Sequence, residues 1–305
     1  MTRFPERISL RAELVRLGLR TFIKRRHRSE PIEVLRRRFR RMETLVPQPP
    51  RGTRIEHVSA GGVPAEMIVT RVSAADRYVF FLHGGAYATG SPRLYRHFTW
   101  RMANAARARL LAIEYRLAPD HPYPAALEDA LASYRWLLAQ GADPRRIAIA
   151  GDSAGGGLTL GAMMKLRDTG LPLPGAAVAL SPWTDLALSG ASLNANAASD
   201  PMLVAAEVPR LAGFYLGNTD PHDPYASPLY GDPRGLPPTL IQVGSDEILR
   251  DDAVRMAERM QAAGCKVELQ VWPRMPHVFQ VMAAVMPEAR AAMAEIARFL
   301  HAALG

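Results

Sequence analysis

The sequence has a single cysteine, Cys265, and no apolar run near the ~18 residues that a membrane-spanning helix needs. One thiol excludes an internal disulfide. The first thirty residues are too densely charged to contain the apolar stretch of a secretory signal. These absences predict a cytoplasmic protein with no stable membrane insertion. No fixed-period repeat or low-complexity tract interrupts the chain, and 48% of its 305 residues are apolar, so it can bury a large core.

Acidic residues are scarce at the start of the chain. Residues 1–54 carry 16 Lys and Arg but only 5 Asp and Glu, whereas the remainder carries 22 and 24. The net charge of +9 therefore belongs to the N-terminal segment. Such a segment can bind nucleic acid or a membrane surface, but the same pattern is typical of helices whose arginines are simply solvated. We expect solvated helices and no nucleic-acid partner.

Two amphipathic helices are predicted in this basic segment. Leu10, Leu14 and Leu17 recur at helical spacing and form one face. A second helix is predicted to start near Ser29 and Pro31, with Ser29 as its cap, and to carry four apolar residues: Ile32, Leu35, Phe39 and Met42. We expect the apolar faces of both helices to pack on the body of the protein.

Strand-like and helical patterns alternate after the break "PQPPRG" at 47–52. Eight strand-like runs follow one another along the chain, the first of them near Ile55. Helical stretches separate most of the later runs. This alternation predicts an α/β protein with a mostly parallel sheet and helices on both faces. The clearest helical stretches are Pro124–Gln140, Ala154–Arg167, Asp251–Ala263 and Pro287–His301.

One segment, at about 186–226, lacks a clear strand. An insertion between two core strands often forms a lid at the functional end of a sheet. We therefore predict a lid-forming insertion at about 186–226 within one domain at 51–305, which follows the helical segment at 1–50.

A nucleophile motif lies in "RIAIAGDSAGGG", where Gly151, Ser153 and Gly155 match G-x-S-x-G between a predicted strand and a predicted helix. A tight strand-to-helix turn would raise the Ser153 hydroxyl above the sheet. The same run lacks the Lys-Ser/Thr of a phosphate-binding loop. We predict that Ser153 is a catalytic nucleophile.

A serine nucleophile needs a base to take its proton, and an acidic residue orients that base. In the sheet of an α/β hydrolase the acid and then the histidine follow the serine in chain order. His277 follows the last predicted strand in "WPRMPHVF" and is the predicted base. Asp246, in "QVGSDEIL", is the predicted acid. Three neighbouring carboxylates are alternatives, but two of them suit a helix start better, and the third is expected to point to the other side of the strand exit. These alternatives are Asp251, Asp252 and Glu247.

An oxyanion hole is predicted from "HGGAY", which directly follows a buried strand. Glycines let backbone N–H groups approach a substrate oxygen closely. The predicted donors are Ala154, after the nucleophile, and amides of the loop Gly84, Gly85 and Ala86, and the sequence leaves open which of the three loop amides donate. His83 is expected to brace this loop rather than act as a second base.

Five stretches together resemble the bacterial hormone-sensitive-lipase-like serine esterases, over roughly Tyr78 to the C-terminus. The resemblance implies a carboxylesterase with an α/β-hydrolase fold, in which a catalytic domain at 51–305 is covered by a helical cap made of the N-terminal cap segment at 1–50 and a cap insertion at about 186–226. It also assigns the same nucleophile, acid, base and oxyanion loop. Many members have a third glycine where this chain has Ala86, but alanine keeps the N–H donor. The stretches are "HGGAY", "EYRLAPDHPYPAALEDA", "GDSAGG", "SPLYGDPRGLPPTLIQVGSDEIL" and "PHVF".

The expected function is hydrolysis of short- to medium-chain carboxylic esters through a Ser-His-Asp triad, with no cofactor and no metal. The expected partner is a small-molecule ester, and a homodimer is compatible with the sequence. Two alternatives remain: a lactone hydrolase that uses the same triad, and a non-catalytic small-molecule-binding protein on this scaffold. Plant hormone receptors related to the family lack the catalytic histidine, so the presence of His277 argues against the second alternative.

Overall fold

An eight-stranded sheet lies at the centre of the computed structural model, which describes residues 8–24 and 30–305. The strand order is β1-β2-β4-β3-β5-β6-β7-β8. β2 is antiparallel to β1 and to β4, and all other neighbours are parallel, which confirms the predicted mostly parallel sheet. The strands are β1 Arg54–Ala60, β2 Val63–Val69, β3 Ala74–Leu82, β4 Ala108–Ile113, β5 Ile147–Asp152, β6 Ala176–Leu180, β7 Thr239–Gly244 and β8 Val267–Trp272.

The four helices predicted most clearly are present, with ends within a few residues of those expected. One long helix, α3, was not predicted, although Ser91 caps it through a 3.2 Å hydrogen bond from the Leu94 N–H and Pro92 begins it. None of the helices in the described parts of the chain is long and apolar enough to cross a membrane. The helices are α1 Leu10–Gly18, α2 Ile32–Glu43, α3 Pro92–Ala106, α4 Ala125–Ala139, α5 Ala154–Asp168, α6 Ser192–Ala195, α7 Val208–Leu216, α8 Arg250–Ala262 and α9 Pro287–Leu304, and a π-helical turn, Leu19–Ile23, continues α1.

The central strand β3 is buried on both faces. Val79 and Phe81 lie in the apolar cluster that contains α3 and α9, whereas Phe80 and Leu82 lie in the cluster that contains α4, α5 and α8. Successive side chains of a strand point to opposite faces, so a run of apolar residues fits a sheet covered by helices on both sides. Because β3 to β8 are parallel, the loops that follow these strands lie at one edge of the sheet.

Helix α1 contacts the body through a different face from the one predicted. Leu10, Leu14 and Leu17 are between 60 and 75% exposed, whereas Ala12 and Arg16 are buried. The partner surface explains this, because the first contact of the helix is polar: Ser9 donates two hydrogen bonds, of 2.6 and 3.0 Å, to the carboxylate of Glu288 at the start of α9. The expectation that the three leucines pack on the body is therefore wrong.

Helix α2 follows the prediction more closely. Ile32 is buried, Leu35 and Phe39 are half-buried, and Met42 is exposed. Pro31 stands at the N-cap, and the predicted cap Ser29 lies outside the described residues. Arg36 donates to the carbonyls of Ala88 (3.0 Å) and Ala118 (2.7 Å), so α2 is attached to the body largely by a charged side chain.

The segment between β6 and β7 contains no strand, as expected. It holds two short helices, α6 and α7, joined through a 3-10 turn at Ala205–Glu207. Tyr215 of α7 is buried and stacks on Tyr87, with ring centroids 3.6 Å apart. The insertion therefore contacts the loop that follows β3.

Candidate active site

Four parallel strands end at the same edge of the sheet, and each is followed by a predicted site residue. β3 leads to the loop at Gly84, β5 to Ser153, β7 to the loop at Asp246 and Glu247, and β8 to the loop of His277. Ligand sites of α/β folds form at this carboxyl edge because the loops converge there. The fold thus collects residues that are far apart in the chain.

Ser153 lies in a strained turn between β5 and α5. Its backbone φ of 54° and ψ of −122° are rare for a residue with a side chain. Two hydrogen bonds maintain the turn: the Ser153 N–H donates to the Leu180 carbonyl (2.8 Å), and the Ser153 carbonyl accepts from the Trp183 N–H (2.9 Å). A Cβ at Gly155 would collide with the Leu82 carbonyl oxygen, so glycine is required beside the serine. These are the features of a nucleophile elbow.

His277 forms its carboxylate contact with Glu247, not with Asp246. Its Nδ1 lies 2.7 Å from Oε2 of Glu247, and both side chains are almost completely buried. The other oxygen, Oε1, accepts hydrogen bonds from the Ser181 hydroxyl (2.7 Å) and the Gly244 N–H (2.5 Å). The buried carboxylate is therefore fully hydrogen bonded, as a buried charge requires.

Asp246 turns away from the histidine. Its Oδ2 lies 2.7 Å from Nη2 of Arg16, and its Oδ1 accepts from the Ser245 hydroxyl (3.0 Å). The prediction that Asp246 contacts His277, with Glu247 pointing elsewhere, is corrected by this geometry. Adjacent residues leave a strand in different directions, and nothing in "GSDEIL" shows which carboxylate faces the histidine. Asp251 and Asp252 lie in the first turn of α8, as expected.

Ser181 links the three elements and was not predicted. It follows Leu180, the acceptor of the Ser153 N–H, and its hydroxyl both donates to Glu247 and accepts from the Val278 N–H (3.1 Å). One hydroxyl thus connects the nucleophile turn, the acid and the residue after His277. "SPW" after β6 carries no catalytic signature, so only the fold identifies this role.

The electrostatic environment of His277 favours its charged form. Burial by itself would lower the pKa of the imidazole, but the hydrogen bond and negative charge of Glu247 outweigh it. Asp200 and Asp152 add smaller effects in the same direction, and the pKa lies above its usual value near 6.5. A neighbouring carboxylate of this kind stabilises the imidazolium that forms when the base takes a proton.

The loop after β3 offers two backbone donors rather than three. The Gly84 N–H donates to Oδ1 of Asp152 (2.9 Å), so its predicted role as an oxyanion donor is corrected. Within residues 8–24 and 30–305, the N–H groups of Gly85, Ala86 and Ala154 have no protein acceptor. Ala86 has a φ of 55°, so the backbone of the loop turns at this residue instead of continuing as an extended chain. Three amides near Ser153 therefore remain available to a substrate oxygen.

Two buried groups support this loop. Asp152 also accepts from the Tyr95 hydroxyl (2.7 Å), and burial raises the pKa of its carboxyl to about 6 despite these hydrogen bonds. His83 stacks on Tyr115, with ring centroids 4.3 Å apart, and its Nδ1 lies 2.8 Å from the Gly84 carbonyl. Burial lowers the pKa of His83 to about 4, so it is a neutral side chain packed under the loop.

Known proteins are similar to this chain in sequence and in fold. The sequence pattern of a family described by the alpha/beta hydrolase fold matches residues 79–281. An acetyl-hydrolase of Streptomyces hygroscopicus is 47% identical over 81% of this chain and 83% of its own, and an esterase of Acinetobacter venetianus is 37% identical over 84% of each. The crystal structure of an esterase from the bacterial hormone-sensitive lipase family has a TM-score of 0.92 and 42% identity, with all of both chains covered.

The nucleophile elbow, the histidine after the last strand and the glycine-containing loop after β3 all lie inside the matched region. The chain therefore belongs to the α/β-hydrolase family, among the bacterial hormone-sensitive-lipase-like carboxylic ester hydrolases.

Proposed function

We propose that this esterase hydrolyses short- to medium-chain carboxylic esters through a triad of Ser153, His277 and Glu247. The observation that carries the proposal is the 2.7 Å contact between His277 and the buried carboxylate of Glu247, at the sheet edge where Ser153 occupies its strained turn. A neutral imidazole whose Nδ1–H donates to Glu247 presents Nε2 as a base. That tautomer is the one a serine nucleophile needs.

The reaction proceeds in two half-reactions. His277 Nε2 takes the proton from the Ser153 hydroxyl as Oγ attacks the ester carbonyl, and the resulting imidazolium is stabilised by Glu247. The tetrahedral adduct collapses when the imidazolium gives its proton to the leaving alkoxide, which leaves an acyl-enzyme on Ser153. Water, activated by the same imidazole, then attacks the acyl group and releases the carboxylic acid.

The substrate oxygen becomes negatively charged in each half-reaction. The N–H groups of Gly85, Ala86 and Ala154 are the proposed donors, because they lack protein acceptors in the described part of the chain and flank the elbow. Asp152 fixes this loop through the Gly84 N–H. Fixed backbone donors need no reorganisation as the charge develops, and each contributes about 10²–10³ in kcat in related reactions.

The N-terminal segment (1–50) and the insertion (about 186–226) form the proposed cap over the catalytic domain (51–305). Contacts support this division, since Arg36 of α2 donates to Ala88 and Tyr215 of α7 stacks on Tyr87 beside the oxyanion loop. Tyr215, Tyr87 and Trp183 are bulky buried rings. We infer that rings of this size beside the oxyanion loop limit the length of the acyl chain that the site accepts, and a Streptomyces relative is named an acetyl-hydrolase.

The test is a series of p-nitrophenyl esters from C2 to C16 with the native chain and with Ser153→Ala. We expect kcat/KM to rise over the first carbons, as each buried methylene adds ~0.8 kcal/mol, and to fall once the chain exceeds the site, at about four to eight carbons. Ser153→Ala should lower kcat ~10⁴-fold or more. Near-normal turnover in Ser153→Ala would exclude the mechanism, and a preference that increases steadily to C16 would exclude the small-acyl proposal.

A further inference from the structure

Three cations of the N-terminal helix face the body at four-residue intervals: Arg16, Arg20 and Lys24. Their spacing, i, i+4 and i+8, keeps them near one side of a helix. Each makes hydrogen bonds to residues outside the helix. The leucines of the same helix point to solvent instead. Side chains with charged ends therefore determine where this helix is attached.

Arg16 contacts both loops that carry triad residues. Its Nη2 lies 2.7 Å from Oδ2 of Asp246, the residue before Glu247, and its Nη1 donates to the carbonyl of Arg274, three residues before His277. The guanidinium is 10% exposed. Glu13, one turn earlier, pairs with the Arg274 side chain at 2.6 Å. One planar, two-sided group thus connects the loop of the acid with the loop of the base.

Arg20 and Lys24 reach the same region indirectly. Arg20 donates to the carbonyl of Ser199 (3.2 Å), and Lys24 Nζ donates to those of Ala197 and Asp200 (2.5 Å each). That segment in turn contacts the acid loop, because Asn196 Nδ2 donates to the carbonyl of Glu247 (2.8 Å). The Ile248 N–H donates to Oδ2 of Asp200 (3.0 Å). The acid loop is therefore hydrogen bonded on two sides.

We propose that Arg16 is a positioning residue of the active site, which sets the distance between His277 and Glu247 by joining their loops through Asp246 and the Arg274 carbonyl. This inference rests on the proposed triad. It assigns a role to Asp246, which is an ion-pair partner rather than a catalytic acid. It also explains why a mostly exposed helix has a buried arginine: the N-terminal segment acts on the chemistry and not only on substrate access.

The magnitude follows from the geometry of the triad. A displacement of about 1 Å in a catalytic group can cost about 10²-fold in rate. The loops are short, so loss of Arg16 would move the acid and the base relative to each other while the sheet below them stays intact. The effect should therefore appear in kcat, whereas KM for a small ester should change little.

The experiment compares Arg16→Met with Arg11→Met. Arg11 lies on the same helix, is exposed and makes no contact with the loops, so it controls for loss of one arginine from α1. With p-nitrophenyl butyrate we expect Arg16→Met to lower kcat about 10–100-fold with KM within threefold, and Arg11→Met to lower it less than twofold. Arg16→Lys should recover only part of the rate, because one ammonium cannot hold two donors in the fixed planar geometry with which the guanidinium binds both loops.

A spectroscopic measurement separates positioning from simple stability. The Nδ1 proton of His277, hydrogen bonded to Glu247, should give a downfield proton resonance that shifts or broadens in Arg16→Met and stays unchanged in Arg11→Met. Asp246→Asn, which removes the charge at nearly constant shape, is the second route if Arg16→Met folds poorly. It should lower kcat about tenfold, and the double variant should be no worse than Arg16→Met alone.

The inference is overturned if Arg16→Met and Asp246→Asn retain the kcat and the downfield resonance of Arg11→Met, even when both lower the melting temperature. It is also overturned if the loss lies in KM alone. Failure of the triad proposal looks different, since Ser153→Ala would then remain active. If Ser153→Ala is inactive while Arg16→Met is normal, only the role of Arg16 is refuted.

Discussion

Helices α1 and α9 pack against each other but bury different kinds of side chain. α9 buries apolar residues along its length, among them Ala292, Ile296 and Leu300. α1 buries Ala12 and Arg16 and exposes its leucines. Apolar burial is strong but has no direction, whereas charged hydrogen bonds require defined positions. The comparison indicates that α9 stabilises the catalytic domain and that α1 is placed by its polar contacts.

The largest expected effect belongs to the catalytic domain itself. Glu247→Gln should lower kcat about 10³–10⁴-fold, since the amide cannot stabilise the imidazolium and can favour the wrong tautomer. Asp246→Asn, its immediate neighbour, should lower kcat only about tenfold, because its partner is Arg16. Steady-state kinetics of both variants, with circular dichroism to verify folding, measure the difference. The assignment of Glu247 fails if Asp246→Asn is the more damaging variant.

A matched pair of apolar truncations tests the comparison of the two helices directly. Ile296→Ala in α9 removes fully buried methyl groups and should lower the free energy of unfolding by about 2–5 kcal/mol. Leu14→Ala in α1 removes a side chain that is 60% exposed and should change it by less than ~0.5 kcal/mol. Urea denaturation provides both values. Similar losses in the two variants would mean that α1 buries its leucines against the body after all.

The pH dependence of kcat/KM reports the pair His277–Glu247. Activity needs the neutral imidazole, so kcat/KM should fall as the pH falls through the pKa of His277. Glu247 raises that pKa above its usual 6.5. The acidic limb of the profile, where kcat/KM falls with decreasing pH, should therefore lie at a higher pH than a free imidazole would give. In Glu247→Gln, the largest effect that opposes burial is lost, so the pKa of His277 falls and the loss of residual activity on the acidic side should move to lower pH.

The control for this profile is Asp246→Asn, whose carboxylate contacts Arg16 rather than the histidine. Its acidic limb should stay closer to that of the native protein than the limb of Glu247→Gln does. A limb that moves to higher pH in Glu247→Gln would contradict the proposed cause of the raised pKa.

The smallest effect is expected from the exposed apolar face of α1. The triple variant Leu10→Ser, Leu14→Ser, Leu17→Ser removes apolar area that is already in water, so kcat on p-nitrophenyl butyrate should stay within twofold. Arg16→Met, on the opposite face of the same helix, provides the contrast. A tenfold loss in the triple variant would show that the leucines, rather than the cations, attach the helix.

Local sequence determined the elements that rest on short-range rules. The alternation of strand-like and helical stretches predicted the mostly parallel sheet, and the continuous apolar run in β3 fits it because such a strand is buried on both faces. "GDSAG" between a predicted strand and a predicted helix predicted the elbow, and the structure adds that only glycine fits at Gly155 against the Leu82 carbonyl. The position of His277 after the last strand followed from the order of elements in the chain.

Tertiary structure alone decided three features, and each depends on residues distant in the chain. The choice between Asp246 and Glu247 is made by Ser181 and Arg16, which lie 66 and 230 positions away from their respective partners. Gly84 is removed from the oxyanion donors by Asp152, whose side chain meets it only in the folded sheet. The leucines of α1 remain in water because the helix turns another face to the body: Ala12 packs in the apolar cluster, and Ser9 and Arg16 bind a carboxylate and a carbonyl beside it. Periodicity specifies which face of a helix is apolar, but the surface that receives the helix determines which face is buried.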